Sequence, residues 1–560
     1  MAFAQYTWWE VQTGGSDTNG GGFDTQNANG FTDLVATVAN TASPVVTSAS
    51  YTFVAGDVGA FLYIKSGTNW LSGWYQIASV SAGAATLSAA IGAASVFFTN
   101  TAGKAFNRIS LNKVVGCASV ASPTAGTWAI DYSQQASPQF VYTDLVIGAT
   151  TTQATSVAHP FDKHMVGNII NITSGTGFTV QRVQIVSVST ITATFDKSLG
   201  TAASTGGNGK LGGCLLSVAI AASLMPLSNT ASHGVFQKSG SYTMSVNSSN
   251  VASGKITLPG SVDGSNQGFW EGYGSVRGDN AVGTTRPKIT CSGITVVVVN
   301  IHDSFFRVEN VEIDCANGTN TFGINFNAAI GYARNCKIDN PSNVGFSTST
   351  QYGVALVDCE VSGGSVSTGG FSGYAHYFNC YAHGITGAGF GSVGGSFYGC
   401  CASGCTTGFT TANGGTFVDC LAYNCTNGYS CSNSSSGVGF MINCMATNNS
   451  ARGWSAAAGA NTPMEWTLIN CAGYSNATAD YDTGFNNVIN FQSCSVSPFV
   501  SAGTNFALNS TAGGGALLRA AGWPSTLAGL STTLMYPDIG LAQHQDSGGG
   551  ASQTAYAFVE

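Results

Sequence analysis

The chain is short of charge. Asp, Glu, Lys and Arg make up only 8% of its 560 residues, against roughly a quarter in an ordinary soluble domain. Eighteen residues are basic and the formal net charge is −8. That argues against a nucleic-acid partner, because phosphate binding needs clustered Lys and Arg. Long apolar runs are missing too. The VVVV of 296–299 is far too short to cross a bilayer, so no membrane insertion is expected. The opening MAFAQYTWWE has neither a basic stretch nor a long apolar one, and does not read as a secretory signal. No C-x-x-C occurs among the 16 cysteines, which removes the usual zinc spacing. No metal and no cofactor are expected. Hydrophobic residues still reach 44%, and glycine occupies 74 positions. The surface must therefore be built from hydroxyls, amides and glycine.

What the chain does have is a ladder of cysteines. Cys291, Cys315, Cys336, Cys359, Cys380, Cys400, Cys420, Cys444, Cys471 and Cys494 recur every 20 to 27 residues. They sit in similar contexts: VEIDC, ARNC, LVDC, YFNC, FYGC, FVDC, MINC, LINC. A period in this range signals stacked structural repeats. Within each repeat the apolar period is 2, so the rungs are strands. Two residues after the Cys come Ile338, Val361, Ala382, Ala402, Ala422 and Ala446, which share its phase and face in. Just before it stand Asp314, Asn335, Asp358, Asn379, Asp419, Asn443 and Asn470. Asn and Asp tolerate left-handed backbone, so this row marks corners, not catalysis. Further on, Gly or Asp precedes Phe346, Phe390, Phe409, Tyr429, Trp454 and Tyr481, a second inward stack. The cysteines then read as reduced, buried thiols packing as small hydrophobes.

A second repeat lies upstream. Residues 32–68 match 143–176, and Ile64, Gln76 and Ile77 match Ile172, Gln184 and Ile185. Short β-branched runs between Gly turns read as two copies of a small β module, at 32–125 and 126–213. CLLSVAIAASLM (214–225) is a helical stretch stopped by Pro226, placed to cap a solenoid end. Entry rungs follow to 290, the solenoid occupies 291–500, and 501–560 closes it. Residues 1–31 read as an attachment segment. The fold class is all-β: a right-handed single-stranded parallel β-helix preceded by small duplicated N-terminal β modules.

The sequence of apolar residue, two corner residues with Asn, then Cys and an aliphatic resembles the parallel β-helix of pectin-lyase-like proteins, over roughly 289–500. WEVQTGGSDTNGGGF (9–23), the GTAASTGGNGKLGG hinge, EGYGSVRGDN (271–280), RPKI (286–289) and YPDIGLAQHQ (536–545) look like pieces of phage and metagenomic β-helix virion proteins. That resemblance spans the chain. It implies a tailspike or fibre-like virion component, a homotrimer, assembled in the host cytoplasm and acting at the host cell surface. It brings no motif that fixes one enzymatic activity.

Two outward rows carry the functional expectations. Val357, Phe378, Tyr398, Val418, Ile442 and Ile469 stand two residues before each Cys. An apolar outward row of six rungs exceeds what a monomer exposes, and reads as a subunit interface. A phase error of one residue would put this row inside and leave Leu356, Tyr377, Phe397, Phe417, Met441 and Leu468 to explain. The other row follows the Cys: Lys337 and Asp339, Glu360 and Ser362, Tyr381 and His383, then Leu421, Tyr423, Met445 and Tyr474. Asp339 and Glu360 are diagonal neighbours about 8 Å apart by strand geometry. A carboxyl pair at about that distance suits an inverting glycoside hydrolase. In that reading Asp339, Glu360 and His383 are catalytic, while Lys337, Tyr381 and Tyr423 bind substrate. An ordinary solvated ion-pair patch explains the same residues.

Lesser signals are HPFDKH (159–164), Asp480 and Asp482 facing out, the Arg277-Gly278-Asp279 tripeptide, and Asp17 with Asn19 before three glycines. In turn these could gather a metal through His159, Asp162 and His164, form a second carboxylate pair, spell a cell-adhesion tripeptide or hold Ca2+, but each reads better as turn or loop polarity. Three functions remain open: a virion tailspike or fibre recognising a host surface polysaccharide, with other virion proteins as partners; a polysaccharide hydrolase or lyase on the same scaffold; and a non-enzymatic virion decoration or adaptor protein.

Overall fold

A computed structural model describes residues 6–36, 45–88, 124–225, 232–245, 256–258, 268–292, 298–522, 539 and 541. Short breaks fall at 69, 71, 276, 278, 280, 302–304, 318–320, 328–329, 349–352, 367–368, 392–394, 412–413, 433–438, 458–463, 484 and 520. The YPDIGLAQHQ segment lies outside the described residues except for Ile539 and Leu541.

The chain is an all-β parallel solenoid. Among the described residues its three sheets hold 13, 11 and 10 strands. One turn runs Gly353–Val357 in the first sheet, Glu360–Ser362 in the second and Gly369–Ser372 in the third. Each strand then pairs in parallel with its equivalent one turn on. The corner between the first two sheets is two residues long. Its first residue has positive φ at Asn310, Asn335, Asp358, Asn379, Gly399, Asp419, Asn443, Asn470 and Asn490. That conformation is why Asn, Asp or Gly recurs there.

The interior is a set of columns. Cys336, Cys359, Cys380, Cys400, Cys420, Cys444 and Cys471 are buried and free. Phe346, Phe371, Phe390, Phe409, Tyr429 and Trp454 stack face to face, with centroids 4.7–5.3 Å apart. Leu356, Tyr377, Phe397, Phe417, Met441 and Leu468 are buried, so they form the inner row of the first sheet and the phase expected for Val357 to Ile469 holds.

Two parts of the ladder are out of step. Asp314 pairs in register with Asp339, which puts Val311, not Cys315, at the Cys336 phase. Asn310 is the corner there, and Asp314 is an outward strand residue. Cys291 shares Met244's position and is likewise displaced. Spacing alone could not show this, because a rung can lengthen on either side of its corner. Tyr481 also departs from expectation: it is 37% exposed and lies against Phe491 at 4.8 Å, at the end of the aromatic stack.

Gly323, Gly345, Gly370, Gly389, Gly408, Gly428 and Gly453 make a further column just before the aromatic one. A Cβ on Gly408 would lie 2.5 Å from the Gly428 carbonyl oxygen and 3.1 and 3.3 Å from the Cβ atoms of Ala422 and Ala402. Here the second and third sheets approach too closely for any side chain. At the last rung Asp480 replaces the glycine and Gly473 replaces the alanine: a Cβ on Gly473 would collide with the Asp480 carboxyl group. Asp480 therefore leans inward, not outward, accepting from Asn476 and Ser493 at 2.8 and 2.7 Å.

The N-terminal segment is not a separate arm. Tyr6–Val11 pairs in parallel with Ser232–Lys238 as the first rung of the first sheet. The chain then leaves to build two six-stranded closed barrels and returns through the helix Val218–Leu224. Both barrels close in the same strand order, as a duplication requires. Asp33 accepts from Ser48 and Ser50 in one, and Asp144 from Ser156, Val157 and Ala158 in the other. The strand Thr124–Asp131 closes the first barrel, so the module boundary lies beyond 126. The helix buries Val218, Ala219, Ala221 and Ala222 against Trp9, Val11 and the solenoid core, the capping role its sequence implied.

The first barrel docks on the outer face of the first sheet through Trp8, Phe61, Trp74, Phe236, Phe269 and Tyr273. Arg277 fills the centre of this joint with no exposure. Its guanidinium meets Glu10 at 2.8 Å and Asp131 at 3.0 Å and lies 4.5 Å from the Phe236 ring centroid. An adhesion tripeptide needs an accessible Arg, and this one is sealed. Asp17 accepts from the Leu216 and Ser217 amides and Asn19 donates to Cys214, so that loop is a splice between elements.

The closing segment covers a flank. Phe499, Phe506, Leu508, Leu518 and Ile539 pack on Cys401, Leu421, Met445 and Ala472, the outward row of the second sheet.

Candidate functional site

The outer face of the second sheet changes character along its length. One row reads Lys288, Glu312, Lys337, Glu360, Tyr381 and then Cys401 and Leu421, rung after rung. The neighbouring row reads Asp314, Asp339, Ser362, His383, Ser403 and Tyr423. The first four rungs are charged. The later ones are apolar and roofed by the closing segment.

The charges interlock. Lys288 Nζ lies 3.0 Å from Glu312, 3.2 Å from Asp314 and 3.8 Å from Asp339. Lys337 Nζ lies 3.2 Å from Asp339 and 3.4 Å from Glu360. Glu360 meets His383 Nε2 at 3.0 Å, and Ser362 donates to Asp339. The His383 ring stacks on Tyr381 at 4.4 Å and 16°, and the Tyr381 hydroxyl meets Ser403 at 3.0 Å. Asp339, Glu360, His383, Lys337 and Tyr381 are thus brought together as the spacing implied. Lys288, Glu312 and Asp314 extend the patch. The alternation in KITC (288–291) and VEIDC (311–315) carried their signal, hidden by the displaced corner.

The electrostatics keep Glu360 and the two lysines charged. Burial pushes the Glu360 carboxyl up, but the His383 bond and the Lys337 charge outweigh it and hold it below the ordinary carboxylate range. Burial lowers Lys337, and Glu360 and Asp339 more than reverse that. Lys288 is raised in the same way by Glu312 and Asp314. A glycoside hydrolase needs one carboxyl kept protonated, and a lysine base must be neutral. Glu360 and both lysines are tuned the other way. Lys337 bridges the two carboxylates that would have to act as acid and base. Asp339, Glu360 and His383 are thus linked through Lys337 into one ladder of ion pairs that ends on the Tyr381 ring.

Tyr423 is not part of the polar patch. Its ring packs on Phe506 at 5.2 Å, beneath the closing hairpin, whose position no periodicity in the solenoid announces. In HPFDKH, Asp162 and His164 stay together and His159 packs elsewhere. His159 lies 5.4 Å from the Phe140 ring; His164 lies 4.3 Å from Tyr51 with Asp162 at 3.4 Å. Asp482 pairs with Arg452 at 2.6 Å.

On the first sheet Val357, Phe378, Tyr398, Val418, Ile442, Ile469 and Ile489 form one outward row in register. Phe378 stacks on Tyr398 at 5.2 Å. Contact along the row leaves most of these side chains half-buried, while Ile489 is 51% exposed.

No family model matches the chain, and no curated protein matches it. Among solved structures it is similar to the pectate lyase Pel9A, with 15% identity, a TM-score of 0.36, and 59% of this chain and 92% of that chain covered. It is also similar to the A-module of the Azotobacter vinelandii mannuronan C-5 epimerase AlgE4, at 13% identity and a TM-score of 0.29, over 46% of this chain and 86% of that one. A third is the catalytic domain of a GH87 alpha-1,3-glucanase, at 10% identity and a TM-score of 0.24, over 64% and 90%.

Proposed function

We propose that this chain binds a polysaccharide on the outer face of its solenoid without cleaving it, as a virion tailspike or fibre protein that recognises a host surface glycan. The observation that carries the reading is the patch in which Lys337 bridges Asp339 and Glu360 beside the Tyr381–His383 stack. Ionised groups and an aromatic plane in fixed positions suit hydrogen bonding and stacking to sugars. Glu360 held low and Lys337 held high stay charged, and Lys337 stands between the two carboxyl groups. The duplicated barrels, fixed to the solenoid through Arg277, are the part proposed to join other virion proteins.

Binding to a panel of bacterial surface polysaccharides, read by affinity electrophoresis, tests the site. Lys337→Met leaves Asp339 and Glu360 facing each other, and is expected to weaken binding about tenfold or more. Equal binding by wild type and variant would remove the patch from the account. The pH sign follows from Glu360. Its depressed pKa means the folded state gains from its ionisation at neutral pH. That gain is lost as pH falls through the folded value, so the patch and its binding are expected to weaken in acid below the ordinary carboxylate range.

The apolar row on the first sheet is proposed to pack against the same row in two further copies, forming a homotrimer with its axis along the solenoid. Light scattering is expected to give three chains for the wild type and one for Phe378→Asp/Ile442→Asp. A monomeric wild type would overturn this assembly.

A further inference from the structure

Beside His383 the face turns the corner from the second to the third sheet, and a groove of about 370 Å3 runs along that corner. Gly384, Thr386, Gly404, Thr406, Asn424 and Thr426 are among its lining residues, and Ser450 ends it. The corner amides keep these rungs in step: Thr406 N bonds to Ile385 O, Thr426 N to Cys405 O, and Ser450 N to Cys425 O. The result is a column of exposed hydroxyl-bearing residues, Thr386, Thr406, Thr426 and Ser450, in which the Thr406 hydroxyl accepts from the Gly387 amide at 3.2 Å. Gly384 and Gly404 have φ of 62° and 61° and leave the shoulder of the groove bare. Buried beneath lie Ile385, Cys405 and Cys425.

Among the described residues, no charged side chain lines the groove. The ion ladder ends at His383, one rung row away. An anionic chain laid here would lose hydration with no cation to replace it, whereas hydroxyl groups exchange hydrogen bonds with Thr, Ser and Asn at little cost. The rungs repeat about every 4.8 Å, close to the length of one sugar ring in an extended glycan. We infer that this corner groove is a subsite for a neutral, hydroxyl-rich polysaccharide, lying along the solenoid axis with one sugar per rung. The inference rests on the glycan-binding reading and names the class of glycan.

The test uses the full chain and the double variant Thr386→Val/Thr426→Val, which keeps side-chain shape and removes two hydroxyls. Both positions are exposed, so the melting temperature is expected to stay unchanged. Retardation in gels is measured against soluble neutral polymers (dextran, mannan, galactan) and anionic ones (polygalacturonate, alginate). The expected result is retardation of the wild type by a neutral polymer and about tenfold weaker retardation of the variant. Retardation by anionic polymers alone, or equal retardation of variant and wild type by a neutral one, would overturn the groove while leaving glycan binding in place. A wild type retarded by none of them overturns both.

Discussion

Gly408→Val is expected to destabilise the solenoid by about 3 kcal/mol, the upper end of the usual cost of overpacking. The reason is local and severe. The new Cβ alone would stand 2.5 Å from the Gly428 carbonyl oxygen, and the alanines across the interior already lie within 3.3 Å of that position. No flexible side chain can yield, because the obstacles are backbone and Cβ atoms. Relief requires the Gly408 strand to shift against the Gly428 strand of its own sheet as well as away from the alanines of the second, which disturbs the stacking of Phe409 between Phe390 and Tyr429. Thr410→Ala, at an outward position of the same strand, is the control and should change stability by no more than about 0.5 kcal/mol. Urea unfolding of both variants checks the contrast. A Gly408→Val loss below about 1 kcal/mol would mean that the sheets do not approach here as described.

Arg277→Met is expected to cost about 3–5 kcal/mol, because it strands two carboxylates in a dry joint. Glu10 and Asp131 have no exposed side-chain surface. Burial already pushes the Glu10 carboxyl up, against the pull of Arg277, Tyr273 and Gln12. Removing the guanidinium leaves that burial less opposed, so Glu10 rises further. A raised carboxylate pKa makes folding stability greatest when the group is protonated and lowest once pH exceeds its folded value. The variant's deficit should therefore be large at neutral pH and shrink as the solution is acidified. Thermal unfolding at neutral and mildly acidic pH reads this directly. A deficit independent of pH would assign the loss to packing against Phe236 and Trp74 instead of to stranded charge.

The solenoid was legible in the sequence because its determinants are local and repeat. Corner residues need positive φ, so Asn, Asp and Gly recur. Inward positions need small or aliphatic groups, so Cys336 to Cys471 recur with Ala and Val two places on. The duplicated barrels were legible for the same reason, through copies such as Gln76 and Gln184. What stayed hidden is what depends on contacts far apart in the chain. Tyr6–Val11 joins the first sheet beside a strand more than 200 residues later, and Arg277 reaches back to Glu10 and Asp131. Tyr423 is covered by Phe506 from a segment with no period at all. The patch around Lys337 was found because its members lie one rung apart. What spacing did not show is the group between them, because the diagonal of Asp339 and Glu360 is set by strands whereas the reach of a lysine is set by its side chain. Lys337 fills that space.

The most direct measurement is turnover on a bound polysaccharide. The chain is mixed with a surface polysaccharide that retards it in gels, and new reducing ends and unsaturated sugars are followed over hours while the complex persists. The account predicts stable binding and no rise in either product, for the wild type and for Asp339→Asn and Glu360→Gln alike. Product release by the wild type that disappears in those two variants would contradict it, and would return Asp339 and Glu360 to a catalytic role.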